Sequence, residues 1–398
     1  MTERIYYREP YRTEFEAQLI DLTAAESGRR FAVLDRTAFY PTSGGQPHDT
    51  GSLGSARVVD VLDREDGTVA HVIAGDLGPG SVHGRIDWDR RFEHMQQHTG
   101  QHVLSAAFDR LLDARTVSFH LGTTSATIDL AREVSPSDIA RAESEANRIV
   151  WEDRPVHIRF VDAAEDATLP LRKEPARDGQ LRLIDIEGFD LSACGGTHVA
   201  RTGGIGNIAV NSWERFRGGT RLEFLCGVRV LRGYRALRSC VADGARLLSV
   251  MPAELPAAIE RLQSDGREWK RKLKESQAAR ASFEAESLAS RAVTSGDIPM
   301  VITALSGWDA NGLKQIASQV IARPGFFVTL VTAPEPASIV VARSADVPID
   351  SASVLRQLTA RFGGKGGGRP ELAQGGGLSG SSSEILEFAR SVILNPEP

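Results

Sequence analysis

The sequence predicts an α+β fold in several parts. A small N-terminal β-barrel comes first, then an α+β domain, a helical arm, and a C-terminal α/β domain that carries a glycine-rich stretch. Three observations support this. Residues 1–85 break into short β-type runs separated by Gly, Asp and Ser. Helical periodicity then sets in near residue 90 and alternates with strand-like runs. A heptad pattern after residue 250 separates this region from a last stretch in which strands and helices alternate. A chain of 398 residues suits two or three domains. The boundaries read as 1–85, 86–245, 250–293 for the arm, and 296–398.

The barrel rests on FEAQLIDL, RFAVLDR, ARVVDVLD and TVAHVIAG, whose spacing suits hairpins. Between them lies TAFYPTSGGQPHDTG (residues 37–51). Its Pro41, Gly44, Gly45 and Pro47 rule out regular structure, so it reads as a shaped loop. In the second domain, RRFEHMQQHTGQHVLSAAFDRLL is helical, with Val103, Leu104, Ala107, Phe108, Leu111 and Leu112 forming the apolar face. TVSFHLG and SATIDL follow as a strand pair. Ser135-Pro136 opens a second helix with Ile139, Ala142, Ala146, Ile149 and Val150 inward. VHIRFV, LRLIDI and RLEFLCGVRV read as further strands.

In the arm, Leu255, Ile259, Leu262, Gly266, Trp269 and Leu273 recur at alternating spacings of four and three, which is a heptad seam. A homodimer and an intramolecular helical hairpin satisfy it equally. Arg267, Lys270, Arg271, Lys272 and Lys274 make part of the arm basic. The last domain has strands IPMVITAL, FFVTLVTA and ASIVVARS. It has helices at residues 313–321 and 354–362, and a final one at 384–392. The run GGKGGGRPELAQGGG (residues 363–377) reads as a pliable loop whose amides, with Lys365 and Arg369, suit phosphate. It lacks the Walker pattern, which excludes a P-loop nucleotide site.

Composition narrows the function classes. Hydrophobic residues make up 41% and charged residues 25%, as in soluble globular proteins. No apolar run is long enough to span a bilayer, and MTERIYYREPYRTEF has no signal-peptide core, which suits the cytoplasm. The three cysteines, Cys194, Cys226 and Cys240, form no disulfide framework, and a free thiol suits a reducing compartment. Cys226 and Cys240 read as small core residues. A net charge of -5 means that any nucleic-acid contact must use a local patch.

The chemistry is concentrated in HTGQH and CGGTH. On a helix, His98 and His102 lie one turn apart on one face. Cys194 and His198 are also four apart, and Gly195 and Gly196 let their loop wrap a small ion. One thiolate and three imidazoles suit zinc in a tetrahedral site. His94 competes for the first pair through HMQQH. His98 and His102 are preferred because ligands from three consecutive turns would crowd, which leaves His94 behind the ligands or at the surface. Of the remaining histidines, His120 is the one whose strand comes near this pair.

HTGQH, CGGTH and TAFYPTSGGQPHDTG together resemble the editing half of alanyl-tRNA synthetase and its free-standing relatives, the AlaX proteins, and FGGKGGGRPELAQGGG resembles the C-terminal domain of that synthetase. The resemblance follows nearly the whole chain, in the order of long AlaX proteins. It implies a zinc-dependent hydrolase that removes a wrong amino acid from tRNA in trans, with Ser-tRNA(Ala) as the usual target and Gly-tRNA(Ala) as a further one. No counterpart of the aminoacylation domain with its ATP site precedes the barrel, so removal without attachment is expected. The resemblance implies His98, His102, Cys194 and His198 as zinc ligands and puts Thr37 and Gln46 in the amino-acid pocket, beside the Gly44–Gly45 turn. It makes Lys365, Arg369 and the basic arm the candidates for tRNA contact.

Serine differs from alanine by one hydroxyl. An apolar pocket discriminates such a change by roughly two orders of magnitude, whereas a site that hydrogen-bonds the hydroxyl reaches about 10⁴ to 10⁵. Thr37 and Gln46 have the groups to do so, although both also suit local turn chemistry. Four good ligands are the mark of a structural zinc, whereas a catalytic zinc keeps an open position. The competing readings are a zinc hydrolase of another ester, a non-enzymatic tRNA-binding protein with structural zinc, and editing of the threonyl-tRNA synthetase type.

Overall fold

A computed structural model of the chain describes residues 1–24, 29–162, 171–172, 181–333 and 335–394. These fold into two compact units, Met1–Gly244 and Ala245–Pro398. The architecture is mixed α+β, with a closed six-stranded barrel and seven α-helices among the described residues. No helix among the described residues is long and apolar enough to cross a membrane.

The barrel opens the first unit. Its strands run in the order Glu14–Ala24, Arg30–Leu34, Val69–Ala74, Ala56–Asp63, Gly51–Leu53 and Ser81–Ile86. Burial alternates along Ser81–Ile86, as a period-two strand with one face inward demands. Phe15, Leu34, Phe39, Val58, Val61, Ile73, Val82 and Ile86 fill the interior. Each side chain of this size contributes roughly 1.5–3 kcal/mol when fully buried.

Helix α1 (Trp88–Leu112) leaves the barrel and packs on α2 (Pro136–Trp151). The Ser135 hydroxyl accepts from Asp138 N and Pro136 sits in the first turn, so α2 starts where its capping residues dictate. Ile139, Ala142, Ala146, Ile149 and Val150 are all buried, as expected. They share a core with Val103, Leu104, Ala107, Phe108 and one face of an antiparallel sheet ordered Ile208–Phe216, Gly219–Cys226, Ala126–Leu130, Thr116–Leu121.

A buried arginine ties the barrel to α1. The Arg91 guanidinium pairs with the Asp49 carboxylate and donates to Pro10 O at 2.7 Å and Ala38 O at 2.6 Å. A second sheet, Val156–Val161, Leu181–Ile186 and Asp190–Ala193, delivers the chain to Cys194.

Three expectations need correction, two of them in this unit. The run RLEFLCGVRV is not one strand. Its strand ends at Cys226, Gly227 takes a positive φ of 53°, and α3 (Val228–Leu248) begins at once. Cys240 lies on α3 and is exposed rather than in a core, whereas Cys226 is buried.

In the second unit, α4 (Leu255–Ser290) forms the arm. Its seam faces solvent, with Ile259, Leu262, Trp269 and Leu273 all exposed. Further along, Ala281, Ala285 and Ala289 pack under α5 (Ala310–Ile321). A six-stranded sheet runs Val293–Ser295, Ile298–Leu305, Phe327–Thr332, Ala337–Arg343, Leu372–Leu378, Lys365–Arg369. Only Ile298–Leu305 and Phe327–Thr332 pair in parallel, with α5 as their crossover. The core on the opposite face uses α6 (Ser351–Phe362) and α7 (Ser382–Leu394).

The glycine run is likewise not a loop. Lys365–Arg369 pairs with Leu372–Leu378 as an antiparallel edge hairpin. Leu372–Leu378 is already anchored on its other side by Ala337–Arg343, so the glycines inherit a template for pairing.

Candidate metal centre

His98 and His102 project from one face of α1, one turn apart, as their spacing requires. Cys194 and His198 come from the loop that follows strand Asp190–Ala193. One ligand atom from each of the four lies within 4.8 Å of all the others. Cys194 Sγ is 3.3 Å from His98 Nε2 and 3.3 Å from His198 Nε2. Two donors on a tetrahedral zinc at ordinary bond lengths stand about 3.5 Å apart, so the spacing fits that ion.

The surrounding hydrogen bonds fix which nitrogen faces inward. Gln46 Oε1 accepts the backbone N–H of Thr197 at 3.1 Å, so it is an acceptor, and the 2.8 Å contact from His98 Nδ1 must carry a proton. His102 Nδ1 donates to the Asp190 carboxylate at 3.0 Å. His198 Nδ1 lies 3.2 Å from the Thr99 hydroxyl. In His98 and His102 the Nε2 lone pair is therefore free to face Cys194. Burial raises the Cys194 thiol, but positive charge on the His98 and His198 imidazoles prevails and draws it well below its ordinary value. A divalent cation among the four donors would supply positive charge at the same place and leave the ring nitrogens as lone pairs. A half-buried thiolate and the lone pairs of three buried imidazoles converge as a donor set for a soft divalent cation.

Local geometry makes this assembly possible. Ser43 and Gln46 exchange backbone hydrogen bonds of 3.1 and 2.9 Å across Gly44 and Gly45, whose φ angles are 56° and 85°. Such a turn requires residues that tolerate positive φ at both central positions. It orients Gln46 toward the centre, and Gly45 O accepts from Leu121 N at 3.1 Å. Gly196 must lack a side chain, because a Cβ there would fall 2.2 Å from His98 Cε1. The strand Thr116–Leu121 contributes Phe119, whose ring lies 5.3 Å from that of His98, while His120 is exposed and outside the cluster.

The other expected residues fall as follows. Gln46 is fully buried, with its amide engaged by His98, Thr197 N and Thr197 Oγ1. Thr37 is fully buried in the barrel. Its hydroxyl is 2.8 Å from His71 Nε2 and accepts from Phe39 N at 3.1 Å. His71 donates from Nδ1 to Ala32 O, so Thr37 is the donor toward Nε2. His94 is buried rather than at the surface, stands outside the four-residue cluster, and its Nδ1 has no hydrogen-bond partner among the described residues. Lys365 and Arg369 are exposed at the ends of the glycine edge strand. A groove of about 700 Å³ is lined by Arg369, Gly367, Gly368, Glu371, Gln374 and Lys314.

Sequence reasoning missed Asp190, Thr99, Thr197, Arg172 and His71. The period-two alternation of Asp190, Ser192 and Cys194 was the available signal for the first.

Comparison with known proteins now bears on the whole chain. Residues 181–223 match the family model described as the threonyl and alanyl tRNA synthetase second additional domain, and residues 297–395 match the DHHA1 domain. The chain is 31% identical over 403 residues to the alanyl-tRNA editing protein AlaX-L of Pyrococcus horikoshii, covering 98% of each. The chain belongs to the AlaX-L family. It is also 34% identical over 390 residues to the alanine–tRNA ligase of Methanoregula boonei, covering 94% of this chain and 42% of that one. With the ligase of Methanoculleus marisnigri the identity is 32%, over 99% of this chain and 43% of that protein. The chain thus spans less than half the length of these ligases. The crystal structure of the C-Ala domain from Aquifex aeolicus alanyl-tRNA synthetase matches 26% of this chain at 20% identity and a TM-score of 0.25.

Proposed function

We propose that this AlaX-L family member is a cytoplasmic trans-editing hydrolase. It cleaves the ester between a wrong amino acid and the 3′ end of tRNA(Ala), chiefly in Ser-tRNA(Ala) and also in Gly-tRNA(Ala). The observation that carries this reading is the match along 98% of both chains to a protein named for alanyl-tRNA editing. The converged donors of His98, His102, Cys194 and His198 support it, because a metal ion held there would be able to polarise an ester carbonyl or a water.

In this reading those four residues hold zinc. When bound, zinc supplies Lewis-acid polarisation of an oxygen and a template for orientation. Gln46 fixes the tautomer of His98 and thereby the direction of its Nε2. Thr37, Gly44 and Gly45 belong to the wall of the amino-acid pocket. Because Thr37 gives its proton to His71, its oxygen can only accept, and a serine hydroxyl is a donor that alanine lacks. Lys365 and Arg369, with the basic stretch of α4, contact tRNA phosphates, so affinity falls as salt rises. The arm seam is the candidate contact for a homodimer.

The test is release of serine from Ser-tRNA(Ala) by the wild-type chain and by Cys194→Ala. Release that disappears in Cys194→Ala supports the reading. Release unchanged by that substitution removes the metal centre from the chemistry.

A further inference from the structure

The three imidazoles of the cluster are backed by three chemically different groups. His98 meets the neutral amide of Gln46, His198 meets the hydroxyl of Thr99, and His102 meets the carboxylate of Asp190. Only His102 has ionic backing. The carboxylate is itself held. Arg172 Nε donates to Asp190 Oδ1 at 2.6 Å and Arg172 Nη2 to Oδ2 at 3.1 Å. Ser192 Oγ adds contacts of 3.2 and 3.1 Å to the two oxygens. A bidentate guanidinium on one side and a hydroxyl on the other leave the carboxylate no freedom to rotate.

The chain path produces this arrangement directly. Along Asp190–Ala193 successive side chains alternate, so Asp190 and Ser192 are buried on one face, and Cys194 follows at the next position of that period. The strand that delivers the thiolate therefore also delivers the carboxylate beneath His102. Arg172 N donates to Leu191 O at 3.0 Å, which seats the arginine against the same strand.

We propose that Asp190, clamped by Arg172, is a positioning residue that makes His102 the anchor ligand of the metal centre. The proposal rests on the zinc reading above. A buried carboxylate is costly unless its charge is balanced, and Arg172 supplies that balance. What remains is an acceptor that fixes the His102 ring and raises the electron density of its Nε2. A neutral amide or a hydroxyl fixes a ring but polarises it less. Groups of this kind typically change metal affinity by about 10- to 100-fold.

The experiment uses the full chain and zinc alone. Zinc affinity is read by competition with a chromophoric chelator, and the rise in Tm on adding zinc is read in parallel. Asp190→Asn is nearly isosteric and is expected to weaken zinc by about 10- to 100-fold and to shrink the zinc-dependent rise in Tm. Thr99→Val is expected to weaken zinc less. A purely structural Asp190 would lower the Tm of the zinc-free and zinc-loaded forms equally, and that result overturns the proposal. Zinc held as tightly by Asp190→Asn as by wild type overturns it too, as does an equal loss in Thr99→Val. If Asp190→Asn does not fold, Arg172→Gln at the outer end of the clamp decides. Weaker zinc then supports the proposal and unchanged zinc overturns it. A wild-type chain that takes up no zinc defeats the zinc reading itself.

Discussion

Gln46 Oε1 accepts a 2.8 Å hydrogen bond from His98 Nδ1, and through the same oxygen it accepts the Thr197 backbone N–H at 3.1 Å. One side chain from the barrel loop thus holds a residue of α1 and a residue of the CGGTH loop together. The two halves of the cluster are 96 residues apart between His98 and Cys194, and Gln46 is 151 residues from Thr197.

Gln46→Leu should weaken zinc binding. It leaves His98 Nδ1–H and Thr197 N–H buried without an acceptor, each at a cost of about 1–3 kcal/mol. Gln46→Glu keeps the acceptor oxygen and should hold zinc better than Gln46→Leu. Chelator competition distinguishes the two. Equal affinities would mean that the contact is incidental.

Gly196→Ala should abolish zinc uptake while the chain stays folded. The new methyl would fall 2.2 Å from His98 Cε1 and 2.3 Å from Nδ1, so the ring must move off its site. Metal analysis with circular dichroism checks this. A zinc-replete Gly196→Ala protein would show that the loop yields instead.

Arg91→Met should destabilise the first unit by about 3–5 kcal/mol, because it strands the Asp49 charge and the carbonyls of Pro10 and Ala38. Denaturant unfolding followed by tryptophan fluorescence reads the change. A loss under about 1 kcal/mol, the scale of a surface pair, would mean that water reaches Asp49.

Stability should fall as pH drops below neutral. Burial pushes the His71 pKa down to about 4 from 6.5. The folded state therefore binds fewer protons than the unfolded state between those values, and stability rises with pH across that window. The contribution is fully present above 6.5 and is lost progressively toward 4, at about 3 kcal/mol in total. His94, lowered to about 3 by burial and by Arg90 and Arg229, adds in the same direction. His71→Gln should flatten the slope of unfolding free energy against pH. An unchanged slope would remove His71 as a cause.

The long-range parts of this structure were unequally legible. Barrel strands and α1 follow from periodicity, because Phe15, Val82 and Ile86 alternate inward and Val103, Ala107 and Phe108 share a stripe. The pairing within HTGQH was readable because helical spacing puts His98 and His102 on one side of α1, whereas Cys194 and His198 lie in a loop whose path, not their spacing, brings them to that face. Partners set by tertiary contact were not. Nothing local links Gln46 to Thr197 or Thr37 to His71, since those pairs meet only when the barrel has closed on α1 and its own strands. The glycine run misled for a different reason. Its local preference is for disorder, and pairing with Leu372–Leu378 overrides it. Cys240 misled because a free cysteine is usually buried, whereas α3 presents this one outward.

The most direct test of the account is parallel deacylation of Ser-tRNA(Ala), Gly-tRNA(Ala) and Ala-tRNA(Ala) by the wild-type chain, with Cys194→Ala as control. The account predicts rapid loss of serine, release of glycine as a further substrate, retention of alanine, and an inert control. Intact esters in all three, with tRNA still bound, would contradict it and leave a tRNA-binding protein whose metal centre only supports the fold.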